Sequence, residues 1–105
     1  MIYTSETINQ IKSASDVKYA LRDDNHFFDR STMRFFGDKV TSFGVRTVNG
    51  KRYMYRKPSA QVNVFGKWKT AGREFFNAWE IVPKHDHVEL RHVDKSEKEE
   101  VYQSI

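Results

Sequence analysis

In the first third of the chain, apolar positions recur at helical spacing. Ile8 and Ile11 sit three apart behind Thr4 and Ser5, either of which can cap a first helical stretch. Ser13 or Ser15 opens a second. There Asp16 lies near the positive end, and Val17, Ala20 and Leu21 form one buried stripe. The two stretches read as one bent helix or two short ones, and Asp23-Asp24-Asn25 ends them with turn-forming residues. The pattern then predicts a third short helix over residues 30–36. Asp29 would cap it, Gly37 would stop it, Met33 and Phe36 would share one side, and Phe27 or Phe28 would staple onto it.

From Val40 onward the period shortens. Residues 41–48 and 51–57 read as two strands, and Asn49-Gly50 between them is a strong two-residue hairpin signal, because both central positions of the favoured turn need positive φ. That loop pairs Val48 with Lys51, Arg46 with Tyr53, and Val45 with Met54. One face then carries Phe43, Val45 and Met54, with Arg52 and Arg56 among them. The other carries Arg46, Val48, Lys51, Tyr53, Tyr55 and Lys57. Neither face is cleanly apolar, and a bulge near Gly44 would shift the register.

Pro58-Ser59 breaks the second strand, and residues 61–65 form a short third. Gly66 and Gly72 bracket Lys67-Trp68-Lys69-Thr70-Ala71, read as a basic loop. Residues 73–82 are the longest apolar-rich run, a central strand ended by Pro83, and residues 88–93 alternate as a last strand. Ser96 followed by Glu99 marks a short C-terminal helix, and the last ten residues are expected to be mobile. The expected fold is α+β: N-terminal short helices packed on one face of a curved antiparallel sheet of four to five strands, in a single domain over residues 1–105.

Composition narrows the function classes. Of 105 residues, 14% are aromatic and none is cysteine, so the core rests on Phe, Tyr and Trp, and neither disulfides nor thiolate metal sites can form. The start of the chain shows no basic stretch followed by an apolar run, and no segment is apolar over a bilayer's span. The expectation is a cytoplasmic protein with no membrane partner.

Charge changes the picture more. The net charge is +4, but residues 30–73 hold eleven Lys/Arg against one acid, Asp38, a net +10. The other residues hold seven bases and thirteen acids, a net −6. A basic segment with interleaved aromatics suits phosphates and bases together. Arg46, Lys51, Arg52, Arg56 and Lys57 on the first hairpin would meet phosphate, as would Arg34 before it and Lys67 and Lys69 in the loop. Tyr53, Tyr55 or Trp68 would stack on bases. The alternative is that these three aromatics pack and the cations form a solvated face.

Other chemistry is sparse. Phe27, Phe28, Phe35 and Phe36 read as core. His85-Asp86-His87 reads as a polar turn, and with His92 it shows no metal-site pattern, so no metal and no cofactor is expected. No Gly-flanked serine and no Gly-rich phosphate loop is present. His26, His85, His87 or His92 with Glu74, Glu80 or Glu89 could supply acid and base to a small metal-independent nuclease, but no spacing marks them.

The stretch His26-Phe27-Phe28-Asp29-Arg30-Ser31-Thr32-Met33-Arg34-Phe35-Phe36-Gly37, followed by Phe43-Gly44-Val45-Arg46, resembles small uncharacterised proteins of bacteriophages and mobile elements. The likeness covers about a third of the chain and carries no activity or catalytic residue. It implies a small accessory protein. The leading expectation is therefore a non-enzymatic accessory protein that binds nucleic acid through the basic hairpin and loop. The alternatives are an inhibitor that docks on an acidic surface of a host defence or nucleic-acid-processing enzyme, and the small nuclease.

Overall fold

The computed structural model describes residues 2–105. Its principal sheet has four antiparallel strands: β4 (Phe43–Val48), β5 (Lys51–Arg56), β8 (Ala78–Pro83) and β9 (Val88–His92), in the order β4-β5-β8-β9. Two smaller sheets accompany it. One is the three-stranded β1 (Phe28–Asp29), β2 (Arg34–Phe35) and β3 (Asp38–Lys39). The other is the hairpin of β6 (Gln61–Val64) and β7 (Lys67–Thr70), inserted between β5 and β8. The α+β class holds, and none of the described helices is long and apolar enough to cross a membrane.

The N-terminal stretches form a 3-10 turn, Thr7–Gln10, and helix α1, Ala14–Ala20. The Ser13 side chain accepts a hydrogen bond from the Asp16 amide and caps α1, whose Ala14, Val17 and Ala20 are buried. They join Ile8, Ile11, Leu21, Phe28 and Phe35 against Phe43, Met54, Trp79, Ile81, Val88 and Leu90 of the principal sheet.

The helix predicted over residues 30–36 is absent, and its segment is the turn and second strand of the β1–β2 hairpin. Asp29 does accept backbone N–H groups, from Ser31 at 2.9 Å and Thr32 at 3.4 Å, and also the Ser31 hydroxyl at 2.6 Å. The same side-chain chemistry closes a turn as readily as it starts a helix. Burial decides between them. Pairing Phe28 with Phe35 across the strands puts their rings 4.8 Å apart. Positive φ at Phe36 then turns its ring flat onto Trp79, centroids 4.0 Å apart. A helix over these residues would lose both the Phe28↔Phe35 strand pairing and the left-handed turn at Phe36 that places its ring.

The Asn49-Gly50 hairpin forms as the sequence predicts, with φ of 52° and 78°. The register is unbroken from Phe43↔Arg56 to Val48↔Lys51, so no bulge intervenes at Gly44. A Cβ on Gly44 would lie 2.8 Å from the Tyr55 ring, and the bare backbone lets that ring close over it. Two further corrections concern the middle. Lys67–Thr70 is a strand, not a loop. The predicted long strand begins only at Ala78, because Arg73–Phe75 is a 3-10 turn.

The terminal helix is α2, Lys95–Gln103, capped by Asp94 through the Glu97 amide at 2.8 Å, two residues before the expected cap. It lies on the sheet face opposite α1. Val101 is buried there with Tyr53, Ala78 and Val93. Tyr102 donates its hydroxyl to the Arg56 carbonyl and accepts the Asn77 amide, and burial pushes its pKa up to about 12. The helical elements thus occupy both faces of the sheet, not one.

Candidate functional site

The sheet face expected to stack on bases lies under α2. Tyr53 is 3% exposed, and its hydroxyl donates to Glu97 at 2.6 Å. Burial, then the hydrogen bond to the Glu97 carboxylate, raises the Tyr53 pKa far above its usual range. Tyr55 is half-buried and meets Tyr102 edge-on, with centroids 6.0 Å apart. Burial works to raise the Glu97 pKa, but hydrogen bonds from Tyr53 and from Arg91 (2.7 Å) outweigh it and hold the carboxyl below its ordinary value. Tyr53 is therefore a packing residue, because its ring is the floor on which α2 sits.

Two of the expected phosphate ligands are structural as well. Arg56 is 8% exposed and sits 2.9 Å from the buried carboxylate of Asp38. It donates to the Phe75 carbonyl at 2.7 Å and lies 5.2 Å over the Phe43 ring. The single acid of the basic segment is thus consumed by its one buried cation, and the other cations gain no neutralisation from within it. Arg52 donates to the Ile11 carbonyl and, at 2.8 Å, to the Thr47 hydroxyl; burial lowers its pKa. Arg46 is half-exposed, and Lys51 and Lys57 are exposed.

Arg34, Lys67, Trp68 and Lys69 gather at the β6–β7 hairpin. A two-stranded hairpin alone is marginal in water. This one is anchored by one face, where Val62 is buried with Ala60 and Ala71. The other face carries Trp68, directly across from Asn63. Trp68 is 40% exposed. The Arg34 guanidinium lies 5.6 Å from its ring centroid and the Lys39 ammonium 5.0 Å. Arg34 and Lys39 are themselves cross-strand partners on β2–β3. Like charges in that register repel. Neither has a carboxylate within 4 Å among the described residues; the Trp68 π system faces both, and Arg34 also donates to the Gly37 carbonyl at 3.4 Å. Lys67 and Lys69 alternate to the hairpin's other side. Lys69 reaches Glu74 at 3.6 Å and the Phe75 ring at 5.1 Å, while Lys67 is free at the tip end.

The tip itself is Phe65-Gly66, with φ of 50° and 84°, braced by the Asn63 side chain accepting the Gly66 amide at 2.9 Å. Phe65 is fully exposed. A bulky residue at positive φ is disfavoured. The chain has a ready comparison in Phe36-Gly37, the same dipeptide with φ of 51° and 86°, where the ring is packed on Trp79. The Phe36 ring packs on Trp79, whereas the Phe65 ring is left in solvent.

Sequence reasoning identified Arg34, Lys67 and Trp68 and missed Lys39 and Phe65. Two residues separate Val64 from Lys67, a hairpin-loop spacing that could have revealed the tip. The register that sets Lys39 beside Arg34 depends on a sheet the helix pattern concealed.

His26, His87 and Glu89 line one cleft with Arg22 and Asp24; His85 and His92 do not. His87 faces Asp86 at 2.6 Å and Glu89 at 3.3 Å, the first of which lowers the Asp86 pKa; His92 meets Trp79 edge-on at 6.0 Å. No group of three or more potential metal ligands lies together among the described residues. Compared with known proteins, the chain matches no family model, no curated protein and no solved structure.

Proposed function

We propose that this chain binds single-stranded nucleic acid at the β6–β7 hairpin, without catalysing a reaction on it. The observation that carries the reading is the triad of Trp68, Arg34 and Lys39: an accessible indole beside two like-charged side chains held in cross-strand register with no carboxylate partner. Phosphate would replace the missing anion, and a base would stack on the exposed part of the indole. Phe65 offers a second ring at the tip, and Lys67 a third cation near it. The phage-protein likeness fits a small binding module of this kind.

The two tryptophans make the test direct. Trp79 is buried and Trp68 is accessible, so quenching of tryptophan emission by an oligonucleotide reports on Trp68. Three phosphate contacts predict a log K against log salt slope of about −2 for a single strand. Trp68→Ala should weaken binding measured by anisotropy about tenfold or more. Absence of binding to single-stranded DNA and RNA at low salt would overturn the reading. Capture of a protein partner that survives nuclease would then favour docking on an acidic surface.

A further inference from the structure

A cleft of about 770 Å³ opens where the segments flanking the β6–β7 hairpin, at Pro58 and at Arg73 and Phe76, meet α2. Its cations are Arg73, Lys95 and Lys98. None of the three has a carboxylate oxygen within 4 Å among the described residues, although Glu99 lines the same cleft. Lys95 and Lys98 stand in the first turn of α2, the end at which the helix dipole disfavours cations, and the last turn carries none. Helix stability would place them the other way round, and a local conflict of this sort marks functional positions.

The cleft also has an aromatic wall. Phe76 and Tyr102 lie stacked, centroids 4.4 Å apart and ring planes 1° from parallel. Tyr102 cannot swing away, because its hydroxyl is tied to the Asn77 and Arg56 backbone. Pro58 and Ile105 complete the apolar part. A rigid ring pair beside three unpaired cations suits a ligand that is planar at one end and multiply anionic at the other. The volume falls within the range of small-ligand sites, about 300–1,000 Å³.

The structure assigns this cleft as a nucleotide site: the base lies against Phe76, Tyr102 and Pro58, and the phosphate is held by Arg73, Lys95 and Lys98. A carboxylate-rich peptide would satisfy the cations but leave the ring pair unused. The site shares no residue with the Trp68 triad, so it stands or falls apart from the hairpin reading. The nucleotide comes either free or as the phosphorylated end of a strand.

The test is a titration of the ¹⁵N-labelled full chain, followed through its amide resonances. Adenosine 5′-monophosphate should shift Arg73, Phe76, Lys95 and Lys98, and both adenosine and inorganic phosphate should bind about tenfold more weakly. Arg73→Ala with Lys98→Ala should weaken the monophosphate about tenfold or more, whereas Trp68→Ala should leave it unchanged. In the Trp68→Ala background, shifts from an oligonucleotide that require its 5′-phosphate identify a strand end. Shifts from the monophosphate alone identify a free nucleotide. No shift at millimolar monophosphate overturns the proposal, as does inorganic phosphate binding equally well or an oligoglutamate peptide binding better.

Discussion

Asp38→Asn removes one charge from the middle of the molecule and leaves its shape nearly intact. The Arg56 guanidinium, 2.9 Å away and itself buried, then keeps its charge with no anion to face. Breaking one side of a buried pair costs about 3–5 kcal/mol, mostly because the surviving ion stays desolvated. Two features set the figure near the lower end. The Phe75 carbonyl still accepts from Arg56 at 2.7 Å, and the Arg56 Nε already lacks a partner, so the native site is not fully satisfied. A domain of this size has about 5–15 kcal/mol of stability in all. With a urea slope of about 1–3 kcal/mol per molar, the midpoint should fall by about 2 M. The buried Trp79 supplies the fluorescence signal for the transition, and Trp68→Phe removes the second indole. Asp38→Leu combined with Arg56→Met should cost less than Asp38→Asn alone, because no charge is left stranded. Oligonucleotide affinity of the folded Asp38→Asn protein should stay within about twofold of the parent. A loss of stability under about 1 kcal/mol would refute the structural role given to the pair. So would Arg56→Ala that keeps its stability but loses oligonucleotide binding.

Other expectations follow from the same contacts. Phe65→Asn recreates the Asn-Gly turn already used at Asn49-Gly50; it should stabilise the fold by about 1 kcal/mol and weaken oligonucleotide binding, read by urea melts and anisotropy. Unchanged affinity would remove Phe65 from the site. Gly44→Ala forces a methyl to 2.8 Å from the Tyr55 ring and should cost about 1–3 kcal/mol in the same melts. Glu97 titrates below its ordinary 4.5 in the folded chain, so the unfolded chain takes up its proton first on acidification. Its contribution is complete above that ordinary value and disappears as pH falls through the lower folded one. Glu97→Gln should flatten the stability profile across that acid window, and a profile identical to the parent's would show that the Tyr53 and Arg91 hydrogen bonds do not hold α2.

Local chemistry was legible wherever one segment decides its own conformation. Asn49-Gly50 specified a hairpin and its register, since positive φ at two successive residues is a property of those residues. The spacing of Val17 and Ala20 located α1, with its cap left between Ser13 and Ser15, and the sequence by itself also carried the +10 segment. The third segment misled because Asp29 and Gly37 serve a helix or a turn equally, and the choice rests with Trp79, 43 residues after Phe36, whose face Phe36 covers.

The site shows the same division. Sequence alone placed cations and aromatics in one stretch of chain. Which of them remain free was a tertiary decision, because burial is set by what packs from elsewhere. Helix α2, from the far end of the chain, took Tyr53. Asp38 took Arg56, and the Ile11 carbonyl took Arg52. Arg46, Lys51 and Lys57 kept some or all of their exposure, and Trp68 gathered Arg34 and Lys39 around it, because the β6–β7 hairpin folds back against a sheet whose strands are too short for any sequence period to reveal.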